Sequence, residues 1–367
     1  MKIGFIARGL TNGGVKRYVE NFLETFNTFF YAENSLVLLT DQPDFKEKYK
    51  NIQVVYLKKS SKFFWDYVKI IPFLFKSRLD VVFYPKSIIP LTHLLFKFKK
   101  IIIIHDLAYF DNKINEYKFL DTIYMKLFMG FSGQQADLII ADSLATKLHI
   151  ENILKIKPDK IKIVYLAVEK GFQKITNSNF IKQTLAKLNV AEHFLFYCGS
   201  LSPRKNILRV LEAFNLIKNK IPHNIYLASG QSWKDKAIKK FIQEDLSDRV
   251  FLLGKVSDEE LVCLYSRAEV FLFPSLYEGF GLPILEAQAC GCPVLTSNQT
   301  SCPEVAGEGA VIVNPYKVEE IKTGILKLIE DFNFRQETIK KGLLNKEKYS
   351  WIKTVTDLIK YAKDLNT

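Results

Sequence analysis

The sequence predicts an α/β protein of two Rossmann-like domains, and three observations carry the prediction. Short apolar runs bounded by turn formers recur along the chain, at residues 2–7, 101–104, 194–198 and 270–273 among others, as buried parallel strands require. Several lead into a glycine-bearing turn and then a helical pattern, the βα unit of a doubly wound sheet. The length, 367 residues, exceeds what one ordinary core serves.

Taken in order, residues 2–7 form a buried first strand. The turn Arg8-Gly9-Leu10-Thr11-Asn12-Gly13-Gly14-Val15 follows, then a helix with apolar positions Val15, Tyr18, Val19, Phe22, Leu23 and Phe26. That turn is not a clean Gly-x-Gly-x-x-Gly, so on its own it is a weak dinucleotide signal. Residues 36–40, 54–57 and 81–84 read as further strands. Between the last two, residues 58–76 interleave lysines with Phe63, Phe64, Trp65, Tyr67, Phe73 and Phe75. Two readings stand: an interfacial helix, or a core-packing helix with snorkelling lysines. Residues 101–104 are four isoleucines running into His105-Asp106-Leu107, which puts an imidazole and a carboxylate at the carboxyl end of a strand, where open α/β sheets bind ligands. Residues 136–143 give another strand with a polar tip, 162–166 the last strand of the first half, and the polar stretch 167–192 a linker with a weak helical segment.

The second half opens with the strand 194–198, the loop Gly199-Ser200-Leu201-Ser202-Pro203-Arg204-Lys205-Asn206 and a helix over 207–217. Arg204 and Lys205 thus sit on the loop and at the helix start, where a diphosphate can lie. Strands at 225–228, 250–253 and 311–314 follow, and residues 351–365 make an amphipathic closing helix. The stretch that organises this half is 271–293. Its strand ends in a loop, Ser275-Leu276-Tyr277-Glu278-Gly279-Phe280-Gly281, whose glycines let backbone approach a ligand. Pro283 suits the first turn of a helix, and Gly291 and Pro293 end it. Glu278 lies on the loop and Glu286 in the helix, beside N-terminal amides that attract anions.

Composition bounds the rest. No apolar run approaches the roughly 20 residues of a membrane span, and the N-terminal strand has no signal-peptide cleavage site, so a cytoplasmic protein is expected. The five cysteines are odd in number and Cys290-x-Cys292 lacks zinc spacing, which points to buried, reduced thiols. Residues 1–100 hold 17 Lys/Arg against 8 Asp/Glu, so +9 of the formal +13 lies there. No nucleic-acid motif accompanies this charge, so nucleic acid is not an expected partner. An anionic membrane surface, the inner face of the plasma membrane, is.

The Glu278-x7-Glu286 stretch resembles the signature of retaining glycosyltransferases of the GT-B architecture, family 4. Residues 253–261 ahead of it and Pro303-Glu304-Val305-Ala306-Gly307 behind it fit the same family. So do the paired Gly13 and Gly14, the His105-Asp106-Leu107 run, and Gly199 with its Lys205-Asn206. The resemblance is strong over 194–315 and weak over 30–100. It implies two Rossmann-like domains facing a cleft: an acceptor domain at 1–168, a nucleotide-sugar donor domain at 169–346, and a helix at 347–367 returning to the first. It implies retention of anomeric configuration. Arg204 and Lys205 would stabilise the departing phosphate, and Glu278 would orient the transferred sugar. Glu286 would bind the ribose, and the Phe280, Gly281 and Leu282 amides would hold sugar and phosphate. His105 would bond the sugar from the other domain, with Gly13, Gly14 and Gly199 lining the donor site. No Asp-x-Asp occurs, so fixed cations take the place of a metal and no cofactor is expected. The donor is expected to be a nucleoside diphosphate hexose, GDP-mannose by the His-Asp-Leu variant, with a UDP-hexose as the alternative. The acceptor is expected to be a saccharide or a lipid-linked one in cell-surface glycan synthesis. Two other readings stand: an isomerase or phosphorylase on the same architecture, and a catalytically inactive nucleotide-sugar-binding subunit. A lysine suited to a pyridoxal Schiff base does not stand out, and intact Arg204, Lys205, Glu278 and Glu286 disfavour an inactive subunit.

Overall fold

The computed structural model describes residues 1–10, 13–111, 114, 116–230 and 235–366; Thr11 and Asn12 of the first glycine-rich turn lie outside the described residues. The chain divides into two compact units. The first comprises Met1–Phe110, Lys118–Leu166 and Ser350–Thr367; the second comprises Asp111–Tyr117 and Ala167–Tyr349.

The first unit is built on β1 (Lys2–Ala7), β2 (Ser35–Thr40), β3 (Gln53–Tyr56), β4 (Val81–Tyr84), β5 (Lys99–Ile104), β6 (Leu138–Ala141) and β7 (Ile161–Ile163). They pair in parallel in the order β3-β2-β1-β4-β5-β6-β7, a doubly wound sheet whose order reverses between β1 and β4. The isoleucines 101–104 in β5 are wholly buried, as a strand covered on both faces demands. The strand expected at 162–166 is instead Ile161–Ile163. Val164 still donates to Ala141, but the Tyr165 carbonyl accepts from the Thr354 hydroxyl at 2.7 Å, so the ladder stops there. That threonine lies on the closing helix, Trp351–Asp364, which buries Trp351, Val355, Leu358 and Ala362. It packs against the first helix, Gly14–Phe29, with the Tyr18 and Trp351 rings 5.8 Å apart.

Residues 58–76 divide their apolar side chains between the core and the surface. A short helix Lys62–Phe64 widens into a π-turn Trp65–Lys69 and continues as Ile71–Ser77. Trp65, Ile70 and Leu74 enter the core, and the Trp65 indole N–H donates to the Leu57 carbonyl at 3.1 Å. Phe63 and Phe75 are 69% and 72% exposed, with Phe64 and Val68 half out.

The second unit is built on β8 (Phe194–Cys198), β9 (Asn224–Ala228), β10 (Val250–Gly254), β11 (Val270–Phe273), β12 (Val294–Ser297) and β13 (Ala310–Val313). All pair in parallel, in the order β10-β9-β8-β11-β12-β13, with the reversal between β8 and β11. The strand at 294–297 was not expected: only Val294 and Leu295 are apolar, and they directly follow a helix-ending Gly-x-Pro. The helix expected over 207–217 closes at Asn215. The stretch expected to be a linker, 167–192, belongs to the second unit. Its helix Ser178–Lys187 is capped by Asn177, whose side chain accepts from the Asn179 and Phe180 amides, and packs on the Asp258–Arg267 helix. All five cysteines are free thiols, four of them buried.

The Leu282–Ala289 helix is held by a buried amide network. Gln288 Nε2 donates to the Ala306 and Gly309 carbonyls at 2.9 and 3.1 Å, and Asn345 Nδ2 donates to Gln288 Oε1 at 2.9 Å. The approach of the Phe332–Lys346 helix depends on glycine: a Cβ on Gly309 would overlap the backbone of Gly342 and lie 2.8 Å from Gln288 Nε2. Gly309→Ala is therefore expected to cost about 1–3 kcal/mol of stability through overpacking, read as a lower urea midpoint at unchanged slope. An unchanged midpoint would mean that this contact yields freely.

Candidate active site

The polar residues that the sequence singles out in the second unit gather at the carboxyl edge of its sheet. After β8, Gly199 adopts φ +143°, and a Cβ there would sit 2.8 Å from the Tyr197 hydroxyl, which itself donates to Ser200 O at 2.6 Å. The chain then makes a 3₁₀ turn, Pro203–Lys205, so Arg204 and Lys205 stand on that turn and not on the helix that follows. Asn206, left-handed at φ 62°, joins turn to helix. Its side-chain amide donates to the Pro274 and Pro315 carbonyls at 3.1 and 2.7 Å, tying the turn to the ends of β11 and β13.

The loop after β11 delivers Glu278 to these cations. Leu276 N donates to Arg204 O at 2.7 Å and Glu278 N to the Thr300 hydroxyl at 2.9 Å, while the Ser301 hydroxyl bonds the Glu278 and Phe280 carbonyls. Glu278 Oε1 accepts from Lys205 Nζ at 2.5 Å and Oε2 from Arg204 Nη1 at 3.2 Å. All three groups are largely buried. Arg204 Nε also lies 3.1 Å from Glu116, in the segment Asp111–Tyr117 that clusters with this unit. Burial pushes the Glu278 carboxyl up, but the Lys205 ammonium and Arg204 guanidinium outweigh it and hold the group below the usual carboxylate range. Burial likewise depresses Lys205, against the pull of Glu278. The cations and the carboxylate that the resemblance assigned to phosphate and sugar thus form one ionised cluster.

Glu286 sits in the second turn of the Leu282–Ala289 helix, buried, and accepts from the Tyr265 hydroxyl at 3.2 Å. Gly281 caps that helix at φ +103°, so Phe280, Gly281 and Leu282 form its N-terminal entry, whose amides favour an anion. The cluster and this entry can therefore bind phosphate oxygens and hydroxyls.

In the first unit a second polar group lines a cavity of about 390 Å³ bounded by Arg8, Lys62, Asp66, Lys86, His105 and Tyr109. His105, just past β5, has Nδ1 2.5 Å from Asp142 Oδ2 and Nε2 3.1 Å from the Pro85 carbonyl. Both ring nitrogens face acceptors. Burial pulls its pKa down, but Asp142 more than compensates and raises it above the ordinary imidazole value. Arg8 binds Asp66 bidentately at 2.7 and 2.9 Å. The Lys62 amine is brought down to about 8 by burial and by Arg8. Gly13, at φ +121°, caps the first helix and Gly14 opens it; a Cβ on either would meet nothing. Sequence reasoning missed Asp142 as a partner of His105, though it marked that strand tip as polar. It also missed the Arg8–Asp66 pair, Glu116 and Tyr265, which lie far apart along the chain from what they touch.

Two doubly wound parallel sheets, each with a polar cluster at its strand tips, define a Rossmann-type α/β protein of the GT-B glycosyltransferase architecture. The fold matches a glycosyltransferase from Rickettsia africae (TM-score 0.78, 18% identity, 99% of this chain and 98% of that one). It also matches a sucrose-phosphate synthase from Thermosynechococcus elongatus (0.79, 20%, 99% and 98%), and Anabaena HepE in complex with UDP-glucose (0.78, 16%, 99% and 100%). Residues 181–344 match the family described as glycosyl transferases group 1. Over 264 residues the chain is 31% identical to the Escherichia coli O-antigen chain mannosyltransferase B, covering 71% of this chain and 68% of that protein. It is 29% identical over 265 residues to the E. coli serotype-specific mannosyltransferase WbdA, but spans only 32% of that longer protein. The chain belongs to the group 1 glycosyltransferases and is an enzyme of that class.

The buried cluster makes a pH-dependent contribution to stability. Because the folded-state pKa of Glu278 is depressed, its pairing stabilises the protein above the carboxyl's unfolded value of about 4.3 and is lost as pH falls through the lower folded value. Lys205→Met is expected to cost on the order of 3 kcal/mol at pH 7, as breaking a buried pair does. The gap to wild type should narrow in urea titrations below about pH 4. A gap that stays constant through that range would mean Glu278 is not the partner that matters.

Proposed function

We propose that this enzyme is a retaining transferase of family 4 that moves a mannosyl group from GDP-mannose to a saccharide or lipid-linked acceptor in cell-surface glycan synthesis, using fixed cations and no metal. The observation that carries the reading is the Arg204–Lys205–Glu278 cluster beside the amide entry of the Leu282–Ala289 helix, in a chain whose relatives are named O-antigen mannosyltransferases. In the reaction the bond between the anomeric carbon and the diphosphate oxygen breaks. The acceptor oxygen bonds to that carbon on the same face, and its proton passes to the departing phosphate. Arg204 and Lys205 stabilise the charge growing on that phosphate, and they are already positioned, so no reorganisation is needed at the moment of reaction. Glu278 orients the sugar, and Glu286 accepts from the ribose hydroxyls. In the first unit, the cavity at Arg8, Lys62 and His105 offers polar groups to sugar hydroxyls. A UDP-hexose donor is the second reading, favoured by the fold match to Anabaena HepE, whose structure holds UDP-glucose.

Thermal stabilisation by GDP and UDP separates the two readings, since a ligand at 100 times its Kd adds about 2.7 kcal/mol. Arg204→Ala is expected to lower turnover roughly 10²-fold, with wild-type turnover surviving EDTA. Glu286→Ala should chiefly weaken nucleotide binding, and Glu278→Ala chiefly turnover. Full activity in Arg204→Ala, or complete loss in chelator, would sink the fixed-cation reading.

The acceptor side of the proposal includes docking on an anionic membrane. Among the described residues no helix is long and apolar enough to cross a membrane. Residues 57–100 carry ten Lys/Arg against two acids, and Phe63, Phe64 and Phe75 are exposed there. Lys62 reaches over the Tyr124 ring of the Phe119–Gln135 helix, which exposes Phe119, Leu120 and Leu127 in turn. Apolar side chains ringed by lysines suit a headgroup layer, each basic residue contributing about 1 kcal/mol. Co-sedimentation is expected with anionic liposomes, to fall steeply with salt, and to weaken when Lys58, Lys59 and Lys62 become Glu. Equal binding to neutral liposomes, or none to either, would remove this part.

A further inference from the structure

Three residues that the transfer chemistry leaves unused stand in a row on the second unit. His193, His223 and Glu269 are each the residue immediately before a strand, β8, β9 and β11 respectively. Those strands are consecutive neighbours, β9-β8-β11, and run parallel, so the three positions align across the amino edge of the sheet. Backbone bonds set the row: Asn224 N donates to His193 O at 3.2 Å and Glu269 N to Phe194 O at 3.0 Å. This is the edge opposite Glu278, a strand length away, roughly 15 Å at 3.3 Å per residue.

Side chains converge there. His193 Nδ1 lies 2.7 Å from Glu269 Oε1. His223 Nε2 lies 3.2 Å from Glu269 Oε2, but neither ring nitrogen of His223 makes an aligned hydrogen bond, although the residue is only 3% exposed. A buried imidazole left so is a group that calls for a ligand, since buried polar atoms ordinarily find one. One ligand atom from each residue falls within 4.8 Å of the others. Three donors about 2.1 Å from one tetrahedral ion stand roughly 3.4 Å apart, so a small closure suffices. Two imidazoles and a carboxylate are the donor set of a zinc-type site, and the half-exposed His193 side leaves room for water as a fourth ligand. Arg335 Nη1 donates to Glu269 Oε2 at 2.9 Å, the oxygen that also lies near His223 Nε2, which orients the carboxylate and leaves Oε1 to His193.

We propose that His193, His223 and Glu269 form a binding site for one divalent transition-metal ion of the zinc type, a structural clamp on the starts of three neighbouring strands. It stands apart from the donor site, so stripping the ion leaves transfer chemistry in place. Cobalt(II) is the probe: the full chain, freed of metal with chelator, is titrated with Co²⁺ while visible absorption is recorded. One equivalent should give the bands of a four-coordinate ion without thiolate charge-transfer, and Zn²⁺ should abolish them. His193→Asn and Glu269→Gln should each weaken binding at least tenfold. The wild-type Tm should rise with Zn²⁺, and the rise should vanish in His193→Asn, a change at a half-exposed position where circular dichroism checks the fold. Absent bands, thiolate bands, or equal affinity in both variants would overturn the site.

Discussion

A single carboxylate, Glu278, is shared by two cations in a place where water scarcely reaches. Much of the second unit's carboxyl edge exists to make that arrangement tolerable. A buried charge is costly unless its partners are fixed and its remaining lone pairs satisfied. Here Asn206 pins the turn bearing the cations to the ends of β11 and β13, and Thr300 and Ser301 fasten the loop bearing the carboxylate. The neighbouring helix entry adds oriented amides at no cost in mobility. An arrangement this constrained is not the cheapest way to fill a core. What it secures is positive charge held in one place.

The two units solve the same problem with different chemistry. In each, polar side chains gather at the carboxyl ends of parallel strands, and in each a basic side chain is paired there with an acid from elsewhere in the chain. The second unit uses Lys205 and Arg204 on Glu278. The first uses Arg8 on Asp66 and His105 on Asp142. The strand-tip location follows from the doubly wound topology, and the pairing follows from burial, because an unpaired charge at such a tip is costly.

Much of this was legible in the sequence, for a physical reason. A strand buried on both faces must be apolar throughout, so the isoleucines 101–104 and the run 270–273 announce themselves. Pro283 and Gly291 bracket a helix because one lacks an N–H and the other tolerates φ > 0. What stayed hidden depends on contacts between distant residues. Nothing local to Asp142 says that it will meet His105, nor to Asp66 that it will meet Arg8, 58 positions away. The π-turn at Trp65–Lys69 is likewise a product of packing: it lets Trp65 enter the core while Phe63 and Phe64 stay out. The strand Val294–Ser297 was missed because only its first two residues are apolar and they directly follow the Gly-x-Pro that ends a helix.

The first unit is sewn from separated pieces of chain, and its last piece is the last to be made. The face of the first helix that carries Tyr18 is roofed by the Trp351–Asp364 helix. On a ribosome working at about 5–20 residues per second, that face waits roughly 16–65 s for its cover. The second unit's sheet has all its strands in hand well before then. The order of birth is thus not the order of completion: the half that starts first finishes last, and an aromatic surface stands open in the interval for a chaperone, or for a neighbouring nascent chain, to find.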